Sequence, residues 1–231
     1  MTVAAIPFYA AGLIAVPTGW KRVKGPGIVP GWVKERFTAE DEHGDEQEDH
    51  ATRQKFEGSE DFVCNNNTNV IPPDLGVLDA TVVTGGGVTL TGISIQTETG
   101  YAKMTIKYVV FTTTDIAPKR KYTHGITLAA CKGPTDFMSG TANTDPVTKL
   151  ISGSIDISCS PSDDNFDGAG DYFGHEVHSG RISASTVWKG APTTPAGAGW
   201  LNVTQEPDTT PSTHLTITCT GNKKMASVAV V

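Results

Sequence analysis

Between Ile151 and Gly190 two stretches alternate apolar and polar residues, and this period of two constrains the fold more than any other feature. Ile151, Gly153, Ile155, Ile157 and Cys159 share one face of the first stretch, and Ile182, Ala184, Thr186 and Trp188 share one face of the second. Successive side chains of a strand point to opposite sides of a sheet, so the pattern predicts two half-buried strands. An Asp- and Gly-rich loop, Ser162–Asp171, lies between them.

The same reading extends along the chain. Val88 and Leu90 share a face, and the next apolar pair is Ile93 and Ile95, so the parity slips at Gly92 as a β-bulge requires. After a turn at Glu98-Thr99-Gly100, Met104, Ile106, Tyr108 and Val110 form one apolar face. The opposite face is polar at Lys103, Thr105 and Lys107 and apolar at Val109 and Phe111, so its far end should meet another element. Ile126, Leu128 and Ala130 predict a short strand, as do Leu201 with Val203, Leu215 with Ile217 and Cys219, and Ala226 with Val228 and Val230. Thr220–Lys224 is expected to turn between the last two. Short strands at this spacing predict an all-β fold, an antiparallel β-sandwich or partly open barrel.

Ahead of the strands the chain changes character. Residues 1–33 carry three bases and no acid, and Pro7, Pro17, Pro26 and Pro30 forbid a long helix. Their apolar side chains, including Trp20 and Trp32, suit a docking arm that lies on the body or on a neighbouring subunit. No base precedes the apolar run and two prolines break it, so the arm is read neither as a leader nor as a membrane span. Residues 34–61 hold eleven acids and four bases, with almost no apolar residue from Ala39 to Ala51. A solvated loop or short helix is expected there, or a long acidic flap with an electrostatic task. The division is therefore an arm over 1–33, flap and connector over 34–87 and an antiparallel β domain over 88–231.

The motifs that could carry chemistry are incomplete. Asp163-x-Asn165-x-Asp167-Gly168 with Asp171 matches the first part of a calcium loop, but Gly174 stands where a bidentate Glu is required. His175-Glu176-Val177-His178 has the wrong spacing for a zinc hydrolase. Gly168-x-Gly170 follows a strand, and nothing after it reads as the helix that a pyrophosphate needs. Cys64, Cys131, Cys159 and Cys219 show no CxxC pairing. Reduced, buried thiols and a cytoplasmic folding compartment are favoured, and the even count leaves disulfides open. The four tryptophans could stack on sugars, but Trp188 alternates with core residues. No cofactor, metal or catalytic residue is assigned. The net charge of −7 argues against a phosphate-gripping surface.

The layout resembles the tail-tube proteins of long-tailed bacteriophages. The resemblance is carried by the hairpin Ile151–Cys159/Arg181–Trp188, its acidic Gly-rich loop, the Ser179-Gly180-Arg181-Ile182 re-entry, and the arm and flap before it. It implies a non-enzymatic virion protein, assembled in the host cytoplasm, whose copies form rings and a tube through which DNA passes without specific binding. It also implies contacts with other virion proteins and none with membrane. Glu46, Glu48 and Asp49 in the flap, Lys119, Arg120 and Lys121 in a basic turn, and Asp163, Asp164, Asp167 and Asp171 in the loop are its candidate lumen or inter-subunit contacts. A capsid decoration, head–tail adaptor or minor capsid protein is the alternative within the virion, and a carbohydrate-binding β module the alternative outside it.

Overall fold

The computed structural model describes residues 14–23, 31–40, 42–43, 46–64, 70–72, 74–76, 88–98, 101–111, 120–126, 149–161, 177–190, 199–208 and 216–229, with backbone alone for 31–40, 46–56, 88, 98, 101, 110, 111, 149 and 161. Among these residues the fold is all-β. The strands are β1 (Trp20–Arg22), β2 (Gly31–Glu40), β3 (Glu46–Cys64), β4 (Asp74–Leu75), β5 (Val88–Glu98) and β6 (Tyr101–Phe111). They continue with β7 (Arg120–Thr123), β8 (Lys149–Pro161), β9 (Val177–Lys189), β10 (Trp200–Pro207), β11 (Thr216–Lys224) and β12 (Ala226–Ala229). No helix among them is long and apolar enough to cross a membrane.

Nine strands form one antiparallel sheet in the order β1-β3-β6-β5-β8-β9-β11-β10, with β2 also on β3. Three short strands, β12-β7-β4, form a second sheet. The small sheet lies on one face of the large one. The Gly76 amide donates to the Leu90 carbonyl at 2.9 Å, and the Met225 amide to that of Gly180 at 3.1 Å. Gly76 has φ +94°, a backbone that side chains resist, and a Cβ there would meet Val177 at 2.6 Å.

The core fills the space between the layers. Ile93, Ile95, Met104, Ile106, Tyr108, Ile155, Ile157 and Ile182 come from the large sheet, with Leu75 and Tyr122 from the small one. Strand β9 keeps strict alternation, and Ile182, Ala184, Thr186 and Trp188 are all buried as the sequence predicts. The slip at Gly92 is a register shift between Leu90 and Gly92 on β5. It brings Leu90, Ile93 and Ile95 into one core despite their broken parity. Val109 is buried at the far end of β6, as expected.

The structure corrects the sequence reading in several places. A second register shift, between Leu150 and Ser152, turns Ile151 out of the core face and leaves it 42% exposed. Thr220–Lys224 is no turn but the last part of β11, opposite Ser185–Arg181 of β9. Met225 alone then carries the chain into the other sheet, so the last two strands are not a hairpin. Arg120–Thr123, expected in a turn, is β7, while Ile126 lies outside any strand; Leu128 and Ala130 fall outside the described residues.

The largest correction concerns the acidic segment, which is neither loop nor helix. Gly31–Glu40 and Glu46–Glu57 pair as an antiparallel ribbon, β2 on β3. Strand β3 meets β6 only over Lys55–Val63 and β1 only over Phe62–Cys64. Residues 46–54 of β3 therefore pair with β2 alone among the described strands and run on past the body of the sheet. Nine residues at about 3.3 Å each make this overhang roughly 30 Å long. Strands β1 and β2 lie on the same edge of β3, as one edge strand interrupted by the Pro- and Gly-containing residues 24–30.

Candidate functional site

The large sheet has one face under the small sheet and core, and its other face is polar. Cross-strand pairing resolves that face into rows. One row runs Asp61–Thr105–Ser94–Asp156–Ser183–Asn222. The next runs Ser59–Lys107–Gly92–Ser158–Arg181–Lys224. On the other side of the first lies Lys103–Gln96–Ser154–Ser185–Thr220–Thr204. Same-face rows stand about 7 Å apart, the rise of two residues. Charge thus changes sign from row to row: Lys107, Arg181 and Lys224 in one, Asp61 and Asp156 in the next, Lys103 beyond.

Small side chains fill the rest. Hydroxyls bridge strands, with Thr105 Oγ1 donating to Asp61 Oδ1 at 2.6 Å and Thr204 and Thr220 sharing a hydrogen bond of 2.8 Å. Two depressions sink into this face. One, of about 540 Å³, is lined by Glu57, Lys107, Asp156 and Ser158 over Gly58 and Gly92. The other, of about 350 Å³, is lined by Asp61, Lys103 and Gln96, and Ser94 belongs to both. The face is mixed in sign. Lys103, Lys107, Asp156 and Arg181 were not among the sequence candidates. Their signal was the polar parity of β6, β8 and β9, which marks a solvated face without saying that several strands share it.

The sequence candidates are dispersed. Glu46, Glu48 and Asp49 stand on the overhanging ribbon, opposite Glu40, Ala39 and Thr38. Residues 40–49 hold seven acids and no Lys or Arg. Arg120 is exposed on β7. Lys121 Nζ binds Asp74 Oδ2 of its own chain at 2.9 Å. Lys119, Asp163, Asp164, Asp167 and Asp171 lie outside the described residues.

Asp74 also accepts from Thr123 Oγ1 at 2.6 Å. Partial burial pushes its carboxyl upward, but the Thr123 hydroxyl and the Lys121 ammonium outweigh this and hold it below the ordinary value. A depressed folded value means stability present above the unfolded pKa and lost as pH falls through the folded one. Asp74→Asn should therefore cost about 1–2 kcal/mol at neutral pH and progressively less at an acid pH below the ordinary carboxylate value. Urea unfolding of both proteins at the two pH values measures it.

The N-terminal arm is docked on its own body from Ile14 to Val23. The Trp20 indole donates to the Val70 carbonyl at 2.9 Å, and the Val70 amide to that of Thr18 at 2.9 Å. Glu60, wholly buried, receives the Ile14 amide at 3.2 Å and Arg22 Nε at 2.9 Å, with Arg22 Nη2 at 2.8 Å. Arg22 Nη2 also donates to the Ile14 carbonyl. Its guanidinium lies 5.6 Å from the centre of the Phe62 ring.

Little here is arranged for covalent chemistry. Among the described residues no group of His, Cys, Asp and Glu is placed to hold a metal ion. Cys159 and Cys219 are free and buried, and burial pushes the Cys159 thiol up to about 12 and the Cys219 thiol upward, away from the nucleophilic thiolate. Cys64 is in a disulfide, which overturns the expectation that all four cysteines are reduced. Trp20, Trp188 and Trp200 are buried and not on offer for sugar stacking. Comparison with protein-family models and with curated proteins finds no match to this chain.

Proposed function

We propose that this chain is a non-catalytic virion subunit whose copies join into rings and a tube, most specifically a tail-tube subunit around a DNA-conducting channel. The observation that carries the reading is a nine-stranded sheet that, among the described residues, is covered on one face, has open edges and carries an overhanging ribbon. Its main path of eight strands is about 34 Å wide at 4.8 Å per step. Strand β10 closes one edge and β1 with β2 the other, and the described residues give neither edge a further strand. Unpaired edges of this length invite another chain.

The two edges differ, so pairing one to the other is a heterologous contact that generates a ring when its rotation closes. Charge favours this sense. Residues 200–208 carry Glu206 and Asp208 and no base, while Lys21 and Lys24 stand at and just after β1, where Arg22 is already paired with Glu60. Leu201, 58% exposed on β10, would be covered by such a neighbour. In the ring the covered face turns outward and the polar face inward, where small Ser, Thr and Gly side chains suit a concave surface. Rows of opposite sign offer DNA no continuous basic track, so phosphates pass without being held. The acidic ribbon reaches a further copy or another virion protein. The reading requires no contact with membrane.

The test is assembly. The purified chain at rising concentration should give rings or tubes by negative-stain imaging and large species by sedimentation. E46K/E48K/D49K should reduce the assembled fraction about tenfold while leaving the monomer folded. A monomer at every concentration sinks the proposal, and normal assembly of the triple variant removes the ribbon from it.

A second reading has one observation behind it, the disulfide at Cys64, since disulfides persist in oxidising compartments. It makes the chain an exported binding module. Glycan binding by a monodisperse monomer would favour it over the first.

A further inference from the structure

We propose that His124 is a proton-operated latch joining the exit of β7 to the connector at residues 70–72 and 74–76, and that acid opens it. The ring is buried. Its Nε2 lies 2.7 Å from the Pro72 carbonyl oxygen, which can only accept, so Nε2 carries the proton. Its Nδ1 lies 2.8 Å from the Ile126 amide nitrogen, which can only donate, so Nδ1 offers a lone pair. The fold thus selects one neutral tautomer. A second proton would set N–H against N–H at Nδ1, break the Ile126 bond and leave a buried amide without it, while the Pro72 bond survives. The latch opens on one side only.

Charges of both signs stand near the ring. The Asp74 carboxylate on β4 favours the protonated ring. The Lys121 ammonium on β7, bound to that carboxylate at 2.9 Å, opposes it. Thr123 is neutral, and Ala226, Ser227, Val228 and Ala229 of the pairing strand β12 do not titrate. The Ile126 amide at Nδ1 favours the neutral ring, and a second proton must displace that bond.

The connector gives the latch its reach. Val70 holds the N-terminal segment through Thr18 and Trp20. Asp74 holds β7 through Lys121 and Thr123. With His124 neutral, the N-terminal segment, the connector and the chain leaving β7 are tied together. With it protonated, the tie between the ring and the Ile126 amide is lost, while the Ile126 side chain stays in the core. The device does not depend on the assembly reading.

Ring nitrogen shifts and amide exchange test it on the intact chain. At about pH 7.5 His124 should show the tautomer with its proton on Nε2. Between there and about pH 5, Ile126 amide exchange, corrected for its intrinsic rate, should rise about tenfold while Ile182 in β9 stays unchanged. His124→Asn keeps an acceptor in the place of Nδ1 that does not titrate, and should abolish the step. A proton on Nδ1 at neutral pH, an Ile126 rate indifferent to ring protonation, or the same step in H124N each overturns the latch. Should H124N not fold, the tautomer and exchange of the natural chain decide alone.

Discussion

Replacing Arg22 with methionine should lower the free energy of unfolding by about 3–5 kcal/mol. Glu60 has no exposure at all, and Arg22 is the cation in contact with it. Removing the guanidinium takes from a buried carboxylate a charge that helps offset its lost hydration. Methionine keeps much of the packing over Phe62, so the loss reports charge more than volume. Removing both charges is a different experiment. In R22M/E60L nothing charged is left stranded, and most of the stability should return, because apolar replacements of buried pairs are often neutral. Urea unfolding of the single and double variants, read as a cycle, measures the coupling. A single variant within about 1 kcal/mol of the natural protein would show that Glu60 is otherwise compensated. The same substitution should loosen Ile14–Val23, since Arg22 binds both Glu60 and the Ile14 carbonyl.

The sequence showed clearly those strands that have something to bury. On β6 and β9 one face is apolar and the other polar, so parity alone gave their orientation. Even the bulge at Gly92 was visible, because it displaced an apolar pair. Ile151 was misplaced because its bulge shifts a single residue, which no pattern records. The ribbon β2/β3 was illegible for a physical reason. An overhang with little to cover it need not carry an apolar face, and its acids read as loop. Thr220–Lys224 failed likewise, since Gly-Asn-Lys-Lys is turn-like by composition, yet β9 continues beside it and supplies hydrogen-bond partners. Of the candidate site, the sequence located acids on the ribbon but not the polar face, whose rows are assembled from strands far apart in the chain. Glu60 lay in a run of acids, and only the fold shows that it is buried while its described neighbours Glu57 and Asp61 are not.

Gly180→Ala should separate the two sheets at their tightest contact and cost about 1–3 kcal/mol, with valine costing more. A Cβ at this position would lie 2.3 Å from Tyr122 Cδ1 and 2.5 Å from its Cγ. The obstacle is the root of a buried ring, not the tip of a flexible chain, so β7 must move away from β9 as a whole. Backbone conformation is not the issue, for Gly180 is not among the residues with positive φ. The Gly180 carbonyl also receives the Met225 amide where the chain passes between sheets, so displacement strains that crossing too. Shortening the ring side chain gives the decisive comparison. Tyr122→Leu alone should destabilise by leaving a cavity, but G180A/Y122L should be more stable than the sum of the single losses. Unfolding curves for the set measure it, and strict additivity would mean that the added methyl group is accommodated somewhere other than against Tyr122. Where coupling is found, Gly180 sets the spacing of the layers at β7 and β9, beside the separate close approach of Gly76, next to β4 of the small sheet, to Val177 of β9.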